Sequence, residues 1–541
     1  MRRVTLFMRI VLSSTLVALL PTLIKAAHNS VEPTSMLRHK PPDKSMNIPL
    51  SKLVNFDRKI DRVPNQYIVI YRDDSEWATI SAYVDATTFK VEPTISALTT
   101  DGTAALSLAF ARRYGFTLNR IYKTNDGLRG FVLSATNESD LMDLAQDPRI
   151  KFVEPVLIAH PQTTMNIQST GAPNCTDSYC APQCKGGACV PWDLDRIDQV
   201  WSIDGLYHYV ATGAGVTIWL ADTGFQHDHV DFNGRTVALA GQNGNACTVD
   251  GNGNITDQCQ FVPVTNSADY DPYGHGTLVA SIAAGNTYGV AKRANIDVQQ
   301  VCGNSAAAGE DCTTAWIAAA IDFSIANRSS GPNILLSALT VIGTSAVFDA
   351  SVNRALAIGM TVVVDAGNQG TNACDNSPGD VAGAITVGGT DYSNNVDSLW
   401  SQSNFGPCVD ILAPALYLWA ADNGNGDGDC GVAQNSTTGV CAFSGTSVAA
   451  PLVAGIAALY LQNYPNASPA AVKSAINSAA AQISIAGVTP LSGTPSLMAS
   501  VWVPGNTAGA EPPGGGFPPF GGGTVTLPSG IIMPIVNLVL N

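Results

Sequence analysis

Between residues 215 and 463 the chain alternates short apolar runs with longer, Ala-rich stretches. "GVTIWLADTG" (215–224), "IDVQQV" (296–301), "NILLSAL" (333–339), "TVVVDAGN" (361–368), "AITVGGTD" (384–391) and "CVDILAPA" (408–415) read as strands. "HGTLVASIAAG" (275–285), "TAWIAAAIDFSIAN" (314–327), a stretch around 347–358 and "VAAPLVAGIAALYLQN" (448–463) read as helices. Continuous apolar strands of this kind are buried on both faces. They predict an α/β fold, a mostly parallel sheet with helices on both faces. Ligands of such sheets bind beyond the carboxyl ends of the strands, where Asp222, Asn368 and the polar knot before Ser447 fall.

A smaller unit comes first. The β-rich run at 67–71, a helix near 101–113, "GFVLSAT" (130–136), "ESDLMDLAQDP" (138–148) and "IKFVEPVLIA" (150–159) predict two helices among about four strands. This is a small α+β domain over 64–160. It follows a basic, apolar opening at 1–27, which reads as a signal peptide, and a polar leader at 28–63. A Cys-rich connector (161–190), the large domain (191–500) and a Pro/Gly-rich tail (501–541) complete the division.

Cysteine usage and charge support that division. All 12 cysteines lie at or beyond Cys175, four of them packed into 175–189. With a secretory opening they predict disulfides, a zinc knot being the weaker reading. Six glycosylation sequons, at Asn137, Asn174, Asn254, Asn327, Asn435 and Asn466, suit the same compartment. Residues 1–190 carry 21 Lys/Arg against 17 Asp/Glu, and the remainder 7 against 26. Opposite fields favour docking of the first part on the second, and the acidic remainder argues against nucleic acid. It also suits work at low pH.

Three short knots carry the candidate chemistry. Asp222 ends a strand in "LADTG"; His275 lies between Gly274 and Gly276 at a helix start; Ser447 opens the helix of "SGTSVAAPLVAG". Singly, each has an ordinary structural role: a turn acid, a buried imidazole, and a serine capping a helix whose first turn holds Pro451. Together they supply an acid, a base and a hydroxyl, beside a helix start that favours developing negative charge.

With these motifs in the order "ADTG", "GHGT" and "GTSVAAP", residues 191–500 resemble the subtilisin-like serine peptidases, most closely the proteinase K-like secreted branch. The resemblance implies that Ser447 is the nucleophile, His275 its base and Asp222 the group that orients the imidazole. Asn368, in "VVVDAGNQG", takes the position of the oxyanion donor; alone it reads as a turn residue. The domain at 64–160 resembles the family's inhibitory propeptide, including its closing "VEP". The implied protein is a secreted, extracellular endopeptidase, made as a zymogen and acting as a monomer on proteins or peptides. Its propeptide folds it, inhibits it and is cut away near residue 160. No cofactor is required for the chemistry, while structural calcium is compatible with the acid-rich loops, no ligand set being specific.

Two departures stand out. Leu278 replaces a second histidine after "GHGT", and Ser337–Thr340 replaces a Ser-Leu-Gly-Gly edge that accepts substrate backbone. Leu339 and Thr340 in place of glycines predict a narrowed or altered substrate edge. Residues 244–268 and 420–440 read as loop insertions near the cleft. Two rival readings follow: a catalytically impaired binding protein on the same fold, and a metal hydrolase using "HDH" at 227–229.

Overall fold

The structure is a computed structural model. It describes most residues between 52 and 503; residues 1–51, 73–102, 162–182, 243–260, 303–311, 504–541 and several shorter runs lie outside the described residues. The expected signal peptide, most of the leader, Asn174, Asn254 and the tail beyond Val503 therefore also lie outside them, while Val501 and Val503, expected at the start of the tail, are buried in the large-domain core.

The small domain is an antiparallel sheet of β1 (Arg62–Tyr71), β2 (Thr117–Lys123), β3 (Arg129–Ser134) and β4 (Ile150–Pro161), in the order β4-β1-β3-β2. Strand β2 has no counterpart among the runs read from sequence, since "TLNRIYK" carries too few apolar positions to announce itself. Helix α1 (Glu138–Ala145) begins at an Asn137 cap and ends three residues before the expected 148. The described residues between 103 and 114 include a second helical stretch. Alternation then sorts the side chains. Tyr67, Val69, Tyr71, Phe131 and Leu133 pack with Leu141 and Leu144 in one core. Ile68, Ile70 and Val132 face the other way, into a core shared with the large domain.

The large domain contains β5 (Thr217–Asp222), β6 (Val237–Gln242), α2 (His275–Ala284), β7 (Asn295–Gln300), α3 (Thr314–Asn327) and β8 (Asn333–Ser337). It continues through β9 (Leu339–Thr340), α4 (Ala346–Ala357), β10 (Thr361–Asp365), β11 (Ile385–Ser393), β12 (Ile411–Pro414) and α5 (Thr446–Asn463). The central strands run parallel in the order β12-β11-β10-β8-β5-β7-β6. Short antiparallel strands border this core.

Successive residues of each strand point to opposite faces. Ile218, Leu220, Ile334, Leu336 and Val363 pack with α2 and α5, whereas Trp219, Leu335, Val362 and Val364 pack with α3 and α4. Both faces are covered, so β5, β8 and β10 are apolar along nearly their whole length, whereas β7 carries Asp297, Gln299 and Gln300. Disulfides join Cys302 to Cys312 and Cys374 to Cys408, and Cys441 is also disulfide-bonded. The expected insertion at 420–440 lies between paired strands Leu418–Ala421 and Val440–Phe443. No helix among the described residues is long and apolar enough to cross a membrane.

One local expectation is corrected. The cap of α5 is Gly445, at φ 146°, and Ser447 is the second residue of the helix rather than its cap. Pro451 lies inside the helix, beyond the first turn. Its missing N–H therefore leaves the Ser447 carbonyl without the usual i→i+4 bond.

Candidate active site

Asp222 ends β5 with no exposed surface. Its Oδ1 accepts from the Thr223 amide at 2.7 Å and from His275 Nδ1 at 2.7 Å. Donation from Nδ1 leaves Nε2 as the basic nitrogen of the neutral ring, and Nε2 has no partner among the described residues. Burial opposes the charged imidazole, but the Asp222 carboxylate, with Asp271 beyond it, outweighs that and holds His275 above the ordinary histidine value.

His275 is the first residue of α2, after Gly274 in the left-handed region at φ 76°. A Cβ on Gly276 would sit 2.0 Å from the Gly224 carbonyl, so only glycine lets the histidine turn approach the end of β5 this closely. Asp271, fully buried, clamps the two together. Its Oδ1 accepts from Thr223 Oγ1 at 2.8 Å and Gly274 N at 2.9 Å, and its Oδ2 from Thr277 N at 2.9 Å. Sequence reasoning passed over Asp271; its place four residues before His275 was the available signal. Leu278 is buried in the core on the α2 face.

Ser447 Oγ donates to the Ala338 carbonyl at 3.2 Å. The adjacent Thr446 links two other groups. Its amide donates to Asn368 Oδ1 at 2.9 Å, and its hydroxyl lies 2.7 Å from the same oxygen. The Asn368 loop is braced by Asn404, which accepts from Gln369 N and Thr371 N and donates to Ala366 O. Neither Thr446 nor Asn404 was singled out by the sequence, because their roles depend on contacts made across the sheet. The site thus brings an acid, an imidazole, a hydroxyl and an amide to the carboxyl ends of β5, β8 and β10, an arrangement suited to acyl transfer.

Strand β9, the expected substrate edge, is already paired. Leu339 lies opposite Pro161 and Thr340 opposite His160 in an antiparallel register with β4. On its other side β4 pairs Cys312 with Ala159 and Thr313 with Ile158. The absence of glycine at 339 and 340 does not stop this edge from accepting a strand. Ser337 and Leu339 are buried, the latter in the core shared with Val156, Leu157 and Ala159.

The "HDH" stretch does not converge. His229 Nε2 lies 2.8 Å from the Gly439 carbonyl and its Nδ1 accepts from Asp231 N, while Asp228 pairs with Gln226. Among the described residues no three His, Cys, Asp or Glu side chains group to hold a metal ion. Asn137, Asn327, Asn435 and Asn466 are all exposed.

A parallel sheet carrying such a site at its strand ends is the architecture of the subtilases, and residues 213–501 match the model of the Subtilase family. The chain belongs to that family and is a serine endopeptidase. It is 32% identical over 419 residues to an extracellular serine proteinase of a Thermus species, covering 77% of this chain and 85% of the relative. To alkaline serine exoprotease A of Vibrio alginolyticus it is 34% identical over 357 residues, 65% of this chain and 55% of that one. The crystal structure of fervidolysin from Fervidobacterium pennivorans, a keratinolytic enzyme related to subtilisin, shares the fold. Its TM-score is 0.57 at 18% identity, over 82% of this chain and 61% of that one.

Proposed function

We propose that the chain is a secreted, proteinase K-like peptidase made as a zymogen, in which Ser447, His275 and Asp222 hydrolyse peptide bonds. The single observation that supports this reading best is the seat of β4. Its last residues lie in antiparallel register between Leu339–Thr340 and Cys312–Thr313, as an extended peptide substrate would. The small domain then acts as an intramolecular inhibitor whose tail occupies the cleft. The cut that releases it falls just past Pro161, leaving the Cys-rich connector with the enzyme.

In the reaction, Ser447 Oγ attacks the scissile carbonyl while His275 Nε2 takes its proton. Asp222 holds the imidazole by Nδ1 and stabilises its cation. The bonds from Thr446 engage Asn368 Oδ1, so the amide nitrogen is the end that serves the oxyanion, together with the Ser447 backbone N–H. His275 then protonates the leaving amine, and water completes hydrolysis of the acyl-enzyme. Extracellular work is supported by the Thermus relative, which is called an extracellular proteinase.

Expression of wild type beside Ser447→Ala tests the reading. The wild type should release the small domain, with a new N-terminus just past Pro161, and label with a fluorophosphonate. The alanine variant should do neither. Normal maturation and undiminished hydrolysis in Ser447→Ala would remove Ser447 as nucleophile. A matured wild type that labels with no reagent and cuts no member of a peptide library would favour a binding protein on this fold.

A further inference from the structure

Asp365 ends β10 without any exposed surface, and the mechanism above gives it no role. Its Oδ2 accepts from Thr340 Oγ1 at 3.0 Å and lies 3.1 Å from Thr446 Oγ1. Its Oδ1 has no partner among the described residues. Thr340 belongs to the edge that pairs with His160. Thr446 precedes Ser447, accepts from Gly367 N at 3.2 Å, and lies 2.7 Å from Asn368 Oδ1. One buried carboxyl therefore touches the substrate edge directly and the oxyanion amide through a single hydroxyl.

We propose that Asp365 is a positioning residue for peptide hydrolysis, holding the substrate edge and the Asn368 amide in one register through the hydroxyls of Thr340 and Thr446. The inference rests on the reading of Ser447, His275 and Asn368 given above.

Thr446 has one hydroxyl hydrogen and two nearby oxygens, Asn368 Oδ1 and Asp365 Oδ2. An ionised Asp365 competes with Asn368 for that hydrogen. A neutral Asp365, protonated on Oδ2, instead donates to Thr446 Oγ1, and Thr446 donates onward to Asn368. Every hydrogen of the chain then has one acceptor. Full burial and the partnerless Oδ1 favour the neutral acid. Burial pushes the carboxyl up to about 6, against the hydrogen bonds from Thr340 and Thr446 and the charged form of His275, which faces it. A rise in pH through that value weakens the hold on Asn368.

The test compares matured wild type with Asp365→Ala, Asp365→Asn and Thr340→Val on a peptide anilide, each normalised to active sites counted with a fluorophosphonate. Asp365→Ala should lower kcat per titrated site roughly tenfold or more, while its rise in KM should be no larger than that of Thr340→Val. Asp365→Asn, uncharged and able to donate from its two amide hydrogens to both threonine hydroxyls, should restore most of the loss. Because it cannot ionise, its kcat relative to wild type should rise from about pH 5 to pH 8. Thr340→Val should raise KM more than it lowers kcat.

A merely structural carboxyl would reduce the number of titrated sites without changing kcat per site. That result, or a relative kcat for Asp365→Asn that is flat with pH, overturns the proposal. If Asp365→Ala does not mature, the pH ratio of Asp365→Asn decides alone. Turnover surviving in Ser447→Ala would defeat the underlying reading, whatever Asp365 does.

Discussion

Ser447 Oγ donates to the Ala338 carbonyl at 3.2 Å, and His275 Nε2 has no partner among the described residues. With β4 lying on the adjacent edge, the hydroxyl is turned toward the strand that carries the substrate edge. In the proposed reaction, proton transfer to His275 requires it to leave that carbonyl. The uncut chain should therefore label with a fluorophosphonate more slowly than the matured enzyme at equal concentration. Equal labelling rates, followed by mass spectrometry, would show that the contact does not restrain Ser447.

In the proposed reaction the Asp222–His275 contact sets the acid limb of activity. The base must be neutral to accept the serine proton, and Asp222 helps hold the imidazole above its ordinary value despite burial. In wild type, kcat/KM should thus fall as pH drops through that raised value. Asp222→Asn removes the charge, so the limb should move to lower pH while kcat drops by roughly 10⁴, as for the equivalent change in a convergent triad on another fold. A pH–rate profile of both proteins checks the two effects together.

Glu154 ties the small domain to the large one. It is fully buried; its oxygens accept from Ser345 Oγ, Ala346 N and Val347 N at 3.0 Å each, and from Asn55 Nδ2. It thereby satisfies the first turn of α4, whose own cap is Ser345. In an uncut chain carrying Ser447→Ala, adding Glu154→Ala should cost about 1–3 kcal/mol, because buried donors lose their acceptor. Thermal unfolding of the two proteins measures it.

The same carboxyl gives docking a pH dependence. Burial holds Glu154 above its ordinary value even against those hydrogen bonds, and burial also raises Asp349 and Asp380 nearby. A carboxyl whose value is raised on docking binds protons more tightly in the docked state. Its contribution is therefore full below the ordinary carboxylate range and is lost as pH rises through the raised value. The uncut Ser447→Ala chain should retain its small domain more firmly in acid than at neutral pH, as followed by limited proteolysis.

The Cys302–Cys312 disulfide closes a segment with a sequence separation of 10, and Cys312 begins the second edge on which β4 rests. Replacing both cysteines by serine should cost on the order of 2–4 kcal/mol of stability. Loss of that anchor should also raise KM for peptides more than it lowers kcat. Thermal unfolding and steady-state kinetics of the matured enzyme separate the two effects.

The sequence by itself determined the α/β alternation, the central strands between 215 and 415 other than β6, and the order Asp222, His275, Ser447. These depend on local pattern: continuous apolar strands mark a sheet covered on both faces, and short Gly-rich knots mark its strand ends. Helix α3 was legible to the residue, because Thr313 caps it and its positions from Ala315 to Ala326 are apolar apart from Asp322 and Ser324. Strand β2 was not legible, since its pairing with β3 rather than its composition makes it a strand. Taken alone, Ser447 reads as a helix cap, but Gly445 holds that place at a φ that only glycine adopts readily. Tertiary structure alone decided that Asp271 clamps the histidine turn and that Thr446 links Asn368 to Asp365. It alone laid His160 and Pro161 on Thr340 and Leu339. The reason is physical: these are contacts between residues far apart in sequence, and no local periodicity encodes which strand end meets which.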